Sequence, residues 1–343
     1  MYFFLYFVSQ NEIIMMDQHI ADFSSHLEQS IKIGKAKSFQ PTSKSIQNVL
    51  ICGLGGSGIG GTIVAQLVSD VAKCPFVINK DYIIPSFVNE HTLVICCSYS
   101  GNTEETIKMY EQAVQKGAEI AIISSGGKFI DIAKENGFNH IQIPAGFPPR
   151  AAFGLSFPQL LQVLSFYKVI PSDMETELVD AISLLNKEEE NIKLEAQSVA
   201  KQLHNKMPII YADASFEGVA VRFRQQINEN SKMLCWHHVI PEMNHNELVG
   251  WRTKDENLAV VLLRNNIDYD RNQKRMEYNK ENIFSKYTST IIDIYSKGDS
   301  RLANILYHIH LEDWISFYLA DIKKIDTVEV DVITGLKTFL SKI

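Results

Sequence analysis

The stretch "NVLICGLGGSGIGGTIVAQLV", residues 48–68, limits the possible folds more than any other part of the chain. An apolar run gives way to glycines and then to a second apolar run, which is the grammar of a strand, a tight turn and a helix. The grammar recurs. "FVINKDY" reads as a strand, "HTLVICCSYSGNTEETIKMYEQAVQKG" as strand, loop and helix, "AEIAIISSGG" as a strand and "HIQIPAG" as a short strand. Strands that are apolar throughout, alternating with amphipathic helices, predict a parallel sheet covered on both faces.

Further along, "FPPRAAFGLSFPQLLQVLSFY" reads as a turn feeding a buried helix, and "NKEEENIKLEAQSVAKQLHNK" as a solvated connecting helix. A boundary is expected between Pro171 and Asn186. After it "MPIIYADASFEGVAVRFRQQINENSK" restarts the same grammar, "ENLAVVLLRNN" and "TSTIIDIYSKG" supply strands, and "SRLANILYHIHLEDWISFYLADIKK" supplies a late helix. The 343 residues suffice for two domains of ordinary size. The expected division is 16–180 and 181–343, preceded by a polar helical segment from Met16 to about Lys44. Residues 1–15 read as a disordered or misassigned start, because the apolar run in "MYFFLYFVSQ" is far short of the ~20 residues that span a bilayer.

A net charge of -7 and a pI near 5.8 provide no basic field for nucleic acid. The five cysteines are odd in number and lack paired C-x-x-C spacing, which argues for a reducing cytoplasm and against a zinc site.

Gly53, Gly55 and Gly58 of "GLGGSG" match the dinucleotide G-x-G-x-x-G spacing in the required strand-to-helix context. The acidic residue that should hold a ribose hydroxyl is met only by Asp81, which comes late and follows Lys80, and no Walker lysine follows the glycines. An NAD-dependent dehydrogenase is therefore one alternative; a tight turn with no ligand is another. In "SYSGNTEET", Ser98, Ser100 and Thr103 set three hydroxyls at a helix start, where free N–H groups and the macrodipole favour an anion. A plain helix cap, with Asn102 and Glu105 serving the first-turn amides, needs only one such group.

"NENSKMLCWHHVIPEMNHNELVGW", residues 228–251, is dense in proton-handling side chains. A carboxylate that removes a carbon-bound proton next to a carbonyl needs a second group to handle the oxygen protons, and Glu229 and His245 are the candidates. They lie sixteen residues apart with Pro241 between them, so they cannot share one helix face. His237, His238 and His245 lack the H-E-x-x-H spacing of a zinc helix.

Taken in order, "GLGGSGIGG", "SYSGNTEET", "PPRAAFG", "ENSK", "PEMNHNE" and a late helix ending in "LKTFL" resemble the bifunctional phosphoglucose/phosphomannose isomerases, which are built from tandem sugar isomerase (SIS) domains. The resemblance implies an α/β chain of two three-layer αβα domains, each with a mainly parallel sheet flanked by helices. It implies interconversion of glucose 6-phosphate and mannose 6-phosphate with fructose 6-phosphate, without cofactor or metal. It further implies a cytoplasmic homodimer with sites shared between subunits, with neither nucleic acid nor membrane as partner. By the same resemblance Gly55, Gly56 and Ser57 line the sugar pocket, Ser98, Ser100 and Thr103 hold the phosphate, and Arg150 sits near the reacting oxygens. Glu229 is the base, His245 opens the ring from the neighbouring subunit, and Lys337 completes the site. Asn244 and Asn246 are expected to fix the backbone around the catalytic groups, and Glu242, Glu247, His237 and His238 have no role assigned. Two features depart from the family pattern: Glu312 stands where a small residue is expected, and the threonine that admits the mannose epimer has only Thr327 as a counterpart. A sugar-phosphate regulator with SIS domains is the non-enzyme alternative, though the residues before the first strand carry no basic recognition helix.

Overall fold

A computed structural model describes residues 15–172 and 174–342, so most of the start expected at residues 1–15 lies outside the described residues. Helices α1 (Met16–Ala21) and α2 (Phe23–Lys35) precede a parallel sheet of β1 (Asn48–Cys52), β2 (Phe76–Asn79), β3 (Thr92–Ser98), β4 (Glu119–Ser124) and β5 (Asn139–Gln142). Between these strands run α3 (Gly55–Leu67), α4 (Glu104–Gln115) and α5 (Gly127–Asn136). The strand order is β2-β1-β3-β4-β5, with β1 and β3 inside and almost wholly buried, as their unbroken apolar runs require.

Helices α6 (Phe153–Phe166) and α7 (Met174–Leu203) lead to a second parallel sheet. It comprises β6 (Met207–Asp213), β7 (Trp236–Ile240), β8 (Leu258–Arg264) and β9 (Ile291–Tyr295) in the order β7-β6-β8-β9. Helices α8 (Glu217–Ser231), α9 (Asp270–Asn282), α10 (Arg301–Lys323) and α11 (Asp331–Leu340) complete the chain. Residues 180 and 181 lie within the continuous helix α7, so the backbone has no loop at that point.

The helix expected to reach Lys44 stops much earlier, at Lys35. Pro41 disfavours a helical conformation at the residue before it. The extended segment instead docks on the first sheet, where Gln40 N–H donates to Asn139 Oδ1 at 2.8 Å and Lys44 Nζ donates to the Gly117 carbonyl at 2.9 Å.

One continuous core joins the inner faces of both sheets and takes in Ile59 and Ile63 of α3, Val219 and Phe223 of α8, and Ile305 and Ile309 of α10. Two smaller apolar clusters cover the outer faces, around Val94 and Met109 on one side and Tyr211 and Phe284 on the other. The helices α3 and α8 meet across the two sheets, with Gly218 N–H donating to Gln66 Oε1 at 2.8 Å and Gln66 Nε2 donating to the Ala214 carbonyl at 3.0 Å. The two helices run antiparallel, so Gln66 near the end of α3 meets the start of α8, while Gly56 at the start of α3 shares a small cavity with Glu229 at the end of α8. No described helix is long and apolar enough to cross a membrane.

Candidate active site

The glycine turn brings backbone within reach of backbone. A Cβ at Gly58 would lie 2.2 Å from the Gly53 carbonyl oxygen, so only glycine lets α3 begin this close to β1. A Cβ at Gly56 would lie 3.1 Å from the Pro149 carbonyl and 3.3 Å from the Arg150 nitrogen. The turn is thus packed directly on the segment carrying Arg150. Ser57 Oγ accepts from the Tyr99 N–H at 3.0 Å, tying the turn to the hydroxyl loop after β3.

In that loop Ser98 Oγ and Thr103 Oγ1 share a hydrogen bond of 2.8 Å, and Gly101 N–H donates to Ser98 Oγ at 3.1 Å. Ser100 Oγ accepts from the Asn102 N–H at 3.2 Å. Asn102 does not cap α4; its Oδ1 accepts from Lys128 N–H at 3.1 Å on the next helix. Thr103, at the cap position, makes no side-chain bond to the helix either. The first-turn amides of α4 are therefore left without a side-chain acceptor, beside three hydroxyls, an arrangement suited to a phosphate.

Arg150 is buried and converges with Glu229 at the end of α8. Its Nη1 donates to Glu229 Oε2 at 3.2 Å, its Nε donates to Asn230 Oδ1 at 2.7 Å, and its Nη2 donates to the Thr327 carbonyl. Burial lowers the Arg150 pKa, opposed by Glu229, Asp313 and Asp326, and a guanidinium stays charged under such a shift. Gly56, Arg150, Arg222, Gln226 and Glu229 line one small cavity; Ser57, Ser98, Tyr99 and Pro149 line its neighbour. Lys232 ends α8 in a left-handed conformation, and its Nζ donates to the Glu229 and Glu329 carbonyls at 2.6 and 2.8 Å. The segment 325–330 that holds Thr327 is thus fastened over the site.

Two of the expected residues do not meet this group within the chain. His245 sits exposed on the 3-10 turn Glu242–His245, and no hydrogen bond or ion pair links it to Glu229 or Arg150 among the described residues. Lys337 lies on α11, which has no buried residue. A wider cleft of about 450 Å³ lies beside the His245 turn, between Asn244 and Arg275, and contains none of the expected catalytic residues.

The remaining members of the polar cluster build the turn. Asn246 Oδ1 accepts from Glu247 N–H at 2.6 Å while its Nδ2 donates to Glu242 Oε1 at 2.8 Å, and Asn244 Nδ2 donates to Asn279 Oδ1 at 3.1 Å. Glu247 accepts from the Tyr211 hydroxyl, which itself accepts from Trp251 Nε1 at 3.2 Å. His238 Nδ1 accepts from Val239 N–H at 2.7 Å. Burial first, then Arg224, His238 and Lys80, pushes His237 down to about 4, so it stays neutral near Glu217. Glu312 is fully buried on α10 with His308 4.0 Å away. Burial raises the Glu312 pKa well above its ordinary value and lowers that of His308 to about 4, so burial favours the uncharged form of each.

Asp81, the ribose-binding candidate of the dinucleotide reading, is exposed and accepts from its neighbour Tyr82 N–H at 2.6 Å. Sequence reasoning overlooked Asn230, Arg222 and Asp313. The first was visible beside Glu229 in "ENSK", but the other two have no sequence spacing to Arg150 that could reveal the contact. Among the described residues no group of three or more His, Cys, Asp or Glu side chains is placed to hold a metal ion.

Residues 44–165 match the SIS domain family model, and residues 192–340 match that of the bacterial phospho-glucose isomerase C-terminal SIS domain. The bifunctional phosphoglucose/phosphomannose isomerase of Caldicellulosiruptor bescii is 38% identical over 340 residues, covering 96% of this chain and 99% of that one. This chain belongs to the bifunctional phosphoglucose/phosphomannose isomerase family. The Aquifex aeolicus member is 34% identical over 299 residues, 86% of this chain and 91% of its own. The fold is also that of the C-terminal domain of glucosamine-fructose-6-phosphate aminotransferase from Francisella tularensis, with a TM-score of 0.74 at 16% identity over 92% of this chain and 98% of that one. Membership in the phosphoglucose/phosphomannose isomerase family displaces the dehydrogenase and regulator alternatives.

Proposed function

We propose that the chain interconverts glucose 6-phosphate and mannose 6-phosphate with fructose 6-phosphate through an enediol. The observation that carries this reading is the pairing of Glu229 with buried Arg150 against the glycine turn. Glu229 removes the proton from C2 of the open-chain aldose and returns it at C1, and Arg150 stabilises the charge that develops on the oxygens. Ser98, Ser100 and Thr103, with the free amides of α4, hold the phosphate, and Gly55, Gly56 and Ser57 border the sugar. The test is a coupled assay starting from fructose 6-phosphate, scored for both aldose products. Absence of either aldose would overturn the reading for that sugar. Replacing Ser98, Ser100 and Thr103 together by alanine is expected to raise KM at least ~10-fold, the loss from about 1.5 kcal/mol at one charged acceptor. An unchanged KM would return the loop to packing alone.

The site is completed in a homodimer. His245 is exposed, and α11 exposes Val332, Leu336 and Phe339 along with Lys337, so both elements are available to a second copy. Mixing Glu229→Gln and His245→Ala dimers under exchange conditions is expected to restore one working site per heterodimer, about a quarter of wild-type activity at random exchange. No recovery despite demonstrated exchange would place both residues in one subunit's site. The five cysteines are all free, which supports a cytoplasmic setting.

A further inference from the structure

Three groups hold the Arg150 guanidinium, but only one of them, Glu229, is assigned to the reaction. The fixed orientation of a second, Asn230, follows from a chain of donors. Ser316 Oγ donates its single proton to the Asp313 carbonyl at 2.8 Å, so toward Asn230 it can only accept. Asn230 must therefore present Nδ2 to Ser316, at 2.9 Å, and Oδ1 to Arg150 Nε, at 2.7 Å. Asn230 and Ser316 are both fully buried, so these bonds are shielded from bulk solvent. The flipped amide would set N–H against N–H.

The backbone of Arg150 is held from the same helix. Arg222 Nη2 donates to the Arg150 carbonyl at 3.3 Å and to Asp313 Oδ2 at 3.0 Å, and Nη1 donates to Asp313 Oδ1. Gln226 Nε2 donates to Asp313 Oδ1 at 2.6 Å, and the Arg222 guanidinium lies 4.7 Å over the Phe153 ring. Asp313 and Ser316 are three residues apart on α10, and Arg222, Gln226 and Asn230 succeed one another every four residues along α8. One helix contact thus carries both holds.

We propose that Asn230 and Arg222, anchored on Ser316 and Asp313, are positioning residues that aim the Arg150 guanidinium at the reacting oxygens. The inference rests on Arg150 acting in the isomerisation described above. Without Asn230 the guanidinium keeps its charge and its bonds to Glu229 and the Thr327 carbonyl but loses the fixed acceptor at Nε, and a displacement near 1 Å can cost ~100-fold in rate.

The experiment is a double-mutant cycle read in kcat and KM, using Asn230→Ala, Arg150→Lys and the combination. Arg150→Lys keeps a cation but has no Nε–H for Asn230 to hold. Asn230→Ala alone is expected to lower kcat about 10- to 100-fold with KM within about threefold. In the Arg150→Lys background the same change is expected to alter kcat by less than about twofold. Equal losses in both backgrounds would reduce Asn230 to a structural residue and overturn the proposal, as would an unchanged kcat in Asn230→Ala. Should Asn230→Ala fail to fold, Ser316→Ala takes its place: it frees the amide to flip, and the same background dependence is expected. A wild-type protein without isomerase activity would overturn the proposed function itself, which the cycle leaves distinguishable from a failure of the positioning role.

Discussion

Glu229→Gln is expected to lower turnover at least ~100-fold, the lower end for loss of a general base, while KM changes little. Glutamine keeps the shape of the side chain and can still face Arg150 through its amide oxygen, but it cannot take the C2 proton. In heavy water the wild-type protein, given glucose 6-phosphate, is expected to place deuterium at C1 of fructose 6-phosphate, because a carboxylate exchanges part of its proton with solvent before redelivery. Near-normal turnover in Glu229→Gln would move the base elsewhere. Glu242 and Glu247 are poor successors, since Glu242 is engaged with Asn246 and Glu247 with Tyr211 in building the His245 turn. A complete absence of solvent label at long reaction times would point to direct hydride transfer and remove the enediol.

The strands that were easiest to read in the sequence are the ones buried on both faces. "HTLVICC" and "ENLAVVLLRNN" are apolar without interruption because β3 and β8 lie inside their sheets, covered on each side. Strand β7 was missed because "WHHVI" is an edge strand whose first four residues are exposed or half-buried, so its polar residues hide the pattern. Helix α9 escaped notice for a similar reason: of "DRNQKRMEYNKEN" only Asn272, Met276 and Asn279 are buried, too thin an apolar stripe to register.

The loop proposed to hold the phosphate was legible because its chemistry is local, with three hydroxyls within six residues at a helix start. The Arg150 and Glu229 pairing was not, since 79 residues separate them and only the packing of α3, α6 and α8 closes the distance. His245 and Lys337 mark a different limit: neither meets Glu229 or Arg150 among the described residues, and the completion by a second copy proposed above is a geometry that no pattern within one sequence encodes.

Asp313→Ala is expected to lower the unfolding free energy by about 3–5 kcal/mol, the usual cost of removing one partner from a buried ion pair. Arg222 is only 3% exposed and would lose the carboxylate it is bonded to, and Gln226 would lose its acceptor at the same time. Against a typical total of ~5–15 kcal/mol this is a large fraction. Urea titrations at fixed protein concentration, with an unchanged m value, read the effect directly. Replacing the pair together, Arg222→Met with Asp313→Leu, is expected to recover much of the stability, because two apolar side chains of similar volume incur no charge burial. It is not expected to recover turnover, since the Arg150 carbonyl loses its donor and the site loses its alignment from α10. Recovery of stability and turnover together would mean that the pair serves packing alone. A destabilisation below ~1 kcal/mol in Asp313→Ala would mean that the ion pair behaves as a solvated surface pair.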